Sequence, residues 1–200
     1  MPYFRTKPMK ILLTLTFVIL FLSCNRKTKT ELDIVELEFS SAIKSHFSNN
    51  DFDTLQKTFE EILINNNFAS SKDQIHLGYM NYIDDYIVTG GGRQFVKNDQ
   101  LRAKLVVAIK SAGFLQETLE DDYKRLHEIV KPVYLRHRDF LEKTDNLSAN
   151  IIKSIGKEEE AMVVLSLAAY LFLEKLNEED YKNEFFKTLI IIEFFLPIEF

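Results

Sequence analysis

The sequence predicts an all-α fold, a single multi-helix domain of about seven helices over residues 31–200. Three observations predict it. Apolar residues recur at intervals of three and four through most of the chain, the spacing that gathers them on one face of a helix. Six glycines and four prolines are few for the many turns of an all-β chain. With 46% apolar and 28% charged residues, 200 residues can bury one core and are too apolar for wholesale disorder.

The first helix, Thr30 to about Phe47, carries Leu32, Val35, Phe39, Ala42, Ile43 and Phe47 on one face, with Thr30 and Asp33 placed to cap it. Ser48-Asn49-Asn50 breaks the pattern. Asp51 to Asn66 resumes it with Phe52, Leu55, Phe59, Ile62 and Leu63, so the first two helices are expected to form an antiparallel hairpin. Ser71 and Gln74 have capping-box spacing and open a third helix, Lys72 to Val88, striped by Ile75, Tyr79, Tyr82, Ile83, Tyr86 and Ile87. Tyrosines so spaced read as a packing face. The Gly90-Gly91-Gly92 run ends this helix. Asn98 or Asp99 caps a fourth helix through Ser111, and Gly113 breaks it.

A long fifth helix is expected from Phe114 to about Lys143, kinked or interrupted at Pro132. Thr144 to Lys157 reads as a polar connection with one helical turn at Ala149 to Ile155. Glu158 to Leu176 is apolar on nearly all sides and is expected to be the central buried helix. Ser166, Glu174 and Lys175 make it a poor membrane span. Asn177 caps the last helix, Glu178 to about Leu196, which ends at Pro197.

The amino terminus reads as an address. Arg5, Lys7 and Lys10 precede an apolar run of twelve residues, Ile11 to Leu22. As a helix that run spans about 18 Å, well short of the roughly 30 Å hydrocarbon core, so it reads as a secretory signal. Phe21-Leu22-Ser23-Cys24 resembles the lipobox of bacterial lipoproteins, with Phe21 where leucine is usual. That resemblance implies cleavage between Ser23 and Cys24, a diacylglyceryl thioether on Cys24 and an acylated (palmitate-bearing) new amino terminus. Two or three acyl chains anchor stably where one is marginal. The chain then divides into a signal peptide (1–23), a lipidated tether (24–30) with Arg26, Lys27 and Lys29, and the helical domain (31–200). The expected location is the bacterial cell envelope, at the outer membrane facing the periplasm. The expected partners are the bilayer, through acylated Cys24, and an envelope protein. An ordinary signal peptide with an incidental cysteine, or a buried apolar helix, is the alternative.

Composition and spacing exclude several chemistries. One cysteine allows no internal disulfide and no thiolate zinc cluster. The formal charge is −5; cleavage removes Arg5, Lys7 and Lys10 and no acid, leaving 22 cations against 30 anions, or −8. That balance argues against a nucleic-acid partner bound by neutralising phosphates. No two of His46, His76, His127 and His137 lie four apart, and no Gly-x-Ser-x-Gly elbow exists. No catalytic residue, metal site or cofactor is therefore expected. Lys131, Arg136, His137 and Arg138 form a basic patch suited to anionic headgroups.

The stretch Thr89 to Asn98 resembles the helical domain of the DNA-mimic protein family over about residues 72–140. Gly90, Gly91, Gln94, Phe95 and Asn98 carry the likeness, while Thr89, Gly92 and Ile87 depart from the family pattern. It implies a helical fold and, as an alternative role, a decoy for a basic nucleic-acid-binding protein. Read from the residues alone, the same segment is a structural turn: glycines reverse the chain, Gln94 satisfies backbone groups and Phe95 plugs the core. The spacings Glu120–Lys124, Asp121–Arg125 and Glu178–Lys182 pair acids with bases, as on a solvated helix face. The expected function is a membrane-anchored, non-enzymatic interaction or envelope-maintenance module. An envelope hydrolase without a recognisable motif is the remaining alternative.

Overall fold

The computed structural model describes residues 29–90, 95–115, 118–157 and 170–199. The leader, Ser23, Cys24 and the tether as far as residue 28 lie outside the described residues. So do Gly91, Gln94 and positions 158–169 of the expected central helix. Backbone contacts divide the chain after Thr30, and the helices belong to the second unit, Glu31–Phe200.

Every regular element among the described residues is helical. In chain order these are α1 (Glu31–Lys44), α2 (Asp51–Asn65), α3 (Ile75–Thr89), α4 (Asp99–Ser111), α5 (Leu119–Arg136), α6 (Arg138–Leu141), α7 (Leu147–Lys157), α8 (Glu184–Ile190) and α9 (Leu196–Glu199). Seven of these nine have seven residues or more. A π-helical turn, Ile191–Phe195, joins α8 to α9, and residues 170–175 are helical. The all-α expectation holds.

The first four helices follow their apolar stripes. Asn49 and Asn50 reverse the chain between α1 and α2 with φ of 50° and 61°, a region asparagine tolerates better than most residues. The hairpin expected of these two helices is not their main packing. α1 spends its apolar face on α5 and α8, and α2 packs on α3. The third helix has a 3₁₀ lead-in, Lys72–Gln74, and Ser71 makes no side-chain cap; Ser70 Oγ donates to Gln74 Oε1 instead. Gly90 closes α3 at φ 66°, where a Cβ would be strained. Asn98, not Asp99, caps α4: its Oδ1 accepts from the amides of Gln100 (3.1 Å) and Leu101 (3.0 Å).

The second half departs further from expectation. The fifth helix starts at Leu119, capped by Thr118 Oγ1, which accepts from Asp121 N at 3.2 Å. Phe114 and Leu115 precede it in a loop. Pro132 does not end the helix. It faces solvent, where water can satisfy the Glu128 carbonyl that loses its donor. The break comes at His137, between α5 and the single turn α6. The polar connection at 144–157 contains a full amphipathic helix, α7, burying Ala149, Ile151, Ile152 and Ile155. It lies so close to α5 that a Cβ on Gly156 would stand 2.4 Å from Tyr134 Cβ.

Among the described residues the buried centre is the C-terminal segment. Phe185, Leu189, Ile190, Ile191 and Phe195 have no exposed surface. Rings from elsewhere close on this segment: Phe39 of α1 on Phe185 (centroids 4.7 Å), Phe59 of α2 on Phe195 (4.5 Å), Tyr86 of α3 on Phe194 (5.0 Å) and Phe172 on Phe186 (5.5 Å). The segment expected at the centre, 158–176, is not the centre in its described part: Phe172 is buried, but Tyr170 and Leu173 are exposed. The last helix is also interrupted. Asp180–Lys182 is a 3₁₀ turn, Asn183 rather than Asn177 caps α8, and Pro197 lies inside α9 instead of ending the element.

One buried carboxylate ties the centre to its surroundings. Glu36 of α1 accepts from Ser148 Oγ of α7 and, at 2.6 Å, from Asn183 Nδ2. Asn183 Oδ1 in turn accepts from Phe185 N at 2.9 Å, capping α8.

Asn183→Ala removes both that cap and a charge-assisted hydrogen bond, and should cost about 2–4 kcal/mol in urea unfolding. Gly156→Ala, measured the same way, should cost about 1–3 kcal/mol by forcing α7 off Tyr134.

Candidate functional site

The C-terminal run from Leu189 to Leu196 contains a single polar residue, Glu193. A regular α-helix would turn it about 100° from each neighbour and leave the bulky residues on both sides competing for the same core. The π turn Ile191–Phe195 re-phases the segment. Ile192, Phe194, Phe195 and Leu196 stay buried, while Glu193 is partly accessible through a cavity. Single π turns of this kind recur at functional sites.

The cavity holds about 310 Å³. Its walls come from four places: Tyr86 of α3, Phe114 and Leu115 of the loop before α5, Asp122 and Tyr123 of α5, and the segment Ile192 to Pro197. Phe114 is fixed by stacking on Phe47, 5.9 Å between centroids. Leu115 adopts φ 57°. That left-handed conformation is uncommon for leucine and costs on the order of 1 kcal/mol or more. It places a strained backbone position at the cavity wall.

Electrostatics single out Glu193. Burial pushes its carboxyl pKa up to about 8, and the nearby Asp122 carboxylate pushes the same way. At neutral pH the carboxyl is therefore largely protonated. No described residue donates a hydrogen bond to it. The Tyr123 phenol is pushed up to about 12 by burial, then by Glu193, Tyr86 and Asp122. Tyr86 is raised by burial and by Glu193. Four ionisable side chains thus converge electrostatically in an apolar enclosure, the arrangement expected of a ligand site.

A second, wider cavity of about 640 Å³ lies beside Glu36. Its polar groups are engaged in structure. Asp180 Oδ2 accepts from Asn177 N (2.9 Å), Asp145 Oδ1 from Asn150 Nδ2 (3.2 Å) and Asn146 Oδ1 from Ser148 N (2.9 Å). It is a junction between helices rather than a site with free chemistry.

The residues singled out by sequence are scattered. Gly90, Phe95 and Asn98 act as a turn: Gly90 closes α3, Phe95 packs edge-on against Phe68 (5.8 Å) and Asn98 opens α4. His127 is buried with Nδ1 2.7 Å from the Ile155 carbonyl, a contact between α5 and α7. His137 Nε2 lies 3.2 Å from Glu38 Oε2, and Arg136 pairs with the same carboxylate, so much of the basic patch is spent on α1. Neither histidine reaches the Glu193 cavity. Glu120–Lys124 forms as spaced, at 2.8 Å, but Arg125 pairs with Glu128 and Lys182 with Glu179. Among the described residues no cluster of three or more metal-ligating acids, histidines or cysteines occurs, and no helix is long and apolar enough to cross a membrane. Sequence reasoning missed Glu193, although a lone acid inside an eight-residue apolar run is a visible anomaly.

No protein-family model, curated protein or solved structure matches the chain.

The Glu193 carboxyl makes stability depend on pH. Folded, it keeps its proton to about pH 8, whereas the unfolded one releases it near its ordinary 4.5. Between those values the folded chain holds the extra proton, so rising pH favours unfolding. The unfolding free energy from urea titrations should fall from about pH 5 to 8 in the wild type relative to Glu193→Gln, by more than about 1 kcal/mol. Parallel pH profiles would refute the assignment.

Proposed function

We propose that this chain is a bacterial lipoprotein whose helical domain binds a small ligand at the membrane surface without transforming it. The anchor is Cys24, acylated after cleavage behind Ser23. The tether is 24–30, with its three cations toward the headgroups. The location is the cell envelope, at the outer membrane facing the periplasm.

The observation that carries the binding role is the Glu193 cavity, apolar walls around a small convergent polar set. Binding is favoured over hydrolysis because His127 is engaged with a backbone carbonyl and His137 with Glu38, both away from the cavity. General acid–base work needs its groups within hydrogen-bond reach of one reacting centre. A decoy role is not favoured. Two of the three acids opening α5 are locally spent, Glu120 on Lys124 and Asp121 on Thr118, where a phosphate mimic needs an uncompensated stripe. An envelope protein remains a natural further partner of a tethered domain.

The anchor is tested by metabolic labelling with a fatty-acid analogue and membrane fractionation. Wild type is expected to take up label and sediment with membranes; Cys24→Ala should lose both. Label retained by Cys24→Ala would defeat the anchor and leave the cavity untouched.

A further inference from the structure

The end of the domain that receives the tether carries an apolar surface. Ile34, Leu37 and Leu135 are 41%, 46% and 55% exposed. Single exposed apolar residues are ordinary, and only their gathering carries information. Three geometric facts gather these. Glu31, Ile34, Leu37 and Glu38 follow one another at helical spacing, which sets them on one side of α1. Glu31 lines a cleft of about 230 Å³ with Leu135, Arg138 and Asp139, at the junction of α5 with α6. Glu38 meets the same junction, paired with Arg136 and, at 3.2 Å, with His137. Ile34 lies between Glu31 and Glu38, with Leu37 one turn on, so all three apolar side chains share a surface.

Cations border it. Lys131 stands one turn before Leu135 on α5, Arg138 opens α6, and Lys29 precedes α1; all three are exposed. Arg136 is held by Glu38, but among the described residues neither Lys131 nor Arg138 enters an ion pair. Glu31 and Asp139 are the acids of the cleft. Electrostatic pull toward an anionic surface is therefore modest, and the apolar side chains carry the contact.

The tether decides what this surface meets. Cys24 and Glu31 are seven residues apart, at most about 25 Å of extended chain. A compact domain the size of residues 31–200 has a radius of gyration of about 15 Å, so a chain that short cannot carry its far side to the membrane. An acylated Cys24 holds the start of α1, and the surface around it, near the headgroups. Three partly inserted aliphatic side chains bind weakly alone; the anchor supplies the high local concentration that makes such contact effective.

Resting on the reading of Cys24 as an acyl anchor, we propose that Ile34, Leu37 and Leu135 dock on the bilayer itself, entering the headgroup region with Lys131 and Arg138 toward anionic lipid phosphates. The domain is then held at two places, and its orientation on the membrane is fixed.

The test uses the full mature, acylated chain in vesicles of phosphatidylethanolamine and phosphatidylglycerol. Cys24 is the only cysteine and its sulfur is taken by the anchor, so a nitroxide can be placed singly through Ile34→Cys, Leu37→Cys or Leu135→Cys. Val88→Cys and Val107→Cys, also at exposed positions, are the controls. Collision with oxygen, which concentrates in lipid, is compared with collision with a water-soluble nickel chelate. Labels at 34, 37 and 135 are expected about 5–10 Å below the headgroup surface, and labels at 88 and 107 in water. Lys131→Glu combined with Arg138→Glu should lift the first three into water here, and do so less in vesicles of neutral phosphatidylcholine. All five labels in water, on protein that stays with the vesicles, would overturn the docking face and leave the anchor standing. Labels at 88 or 107 in lipid would overturn the orientation. Low access of 34, 37 and 135 to both reagents would mean that protein covers them, and would overturn the lipid assignment. Protein that leaves the vesicles would overturn the anchor and this inference with it. An equal response in neutral and anionic vesicles would overturn the role of the two cations.

Discussion

The structure depends on hiding one segment. From Phe185 to Leu196 the chain is so apolar that no face can be left to water, and burying a phenylalanine or isoleucine is worth about 1.5–3 kcal/mol each. A helix hidden on all sides needs partners on all sides. α1 supplies Phe39, α2 supplies Phe59, α3 supplies Tyr82 and Tyr86, and the helical residues 170–175 supply Phe172. Tyr82 donates its hydroxyl hydrogen to the Phe194 carbonyl at 3.4 Å. The early helices are amphipathic because they wrap this segment; the segment is not amphipathic because it is wrapped.

Two carboxyls are enclosed near this centre, and they are treated in opposite ways. Glu36 is matched: it accepts from Ser148 and Asn183 and so joins α1, α7 and the start of α8. A buried carboxylate with good donors fixes register, because any sliding of the three elements would leave it uncompensated. Glu193 receives no such support and responds by holding its proton. The first carboxyl organises the fold, and the second is left chemically available in a cavity.

Much of the fold was legible in the sequence, and the failures have physical reasons. α1 to α4 are short amphipathic helices bounded by Asn49-Asn50, Gly90 and Asn98, whose local preferences agree with their tertiary roles. Pro132 does not interrupt α5 because it sits on the exposed side of the helix, where water can replace the lost hydrogen bond. α7 was hidden because Asn146, Ser148, Asn150 and Ser154 dilute an apolar stripe of isoleucines. The role of the C-terminal segment was hidden because periodicity is uninformative in a stretch that is apolar almost throughout; 158–176 and 185–196 read alike in the sequence. The site was the least legible part. Tyr86, Leu115, Asp122 and Glu193 come from three distant stretches of chain, and their approach depends on a π turn and a left-handed leucine. Neither has a clear sequence signature.

Three energetic costs meet at that cavity. An ionisable group interrupts the apolar run Leu189 to Leu196, the helix carrying it departs from regular hydrogen bonding, and Leu115 holds a conformation that leucine resists. Each has a cheaper substitute that hydrophobic chemistry readily supplies: a leucine at 193, a regular turn, an asparagine or glycine at 115. Stability alone would favour those substitutes, as buried charged groups can often be replaced by apolar ones without loss. Elsewhere in the domain, local conformational costs have structural explanations: Asn49 and Asn50 reverse the chain, Gly90 ends a helix, and Gly156 admits a close crossing. At the Glu193 cavity no packing advantage accounts for the combination. Strain and an unmatched carboxyl gathered around accessible volume have a physical rationale when a bound molecule supplies the missing interaction.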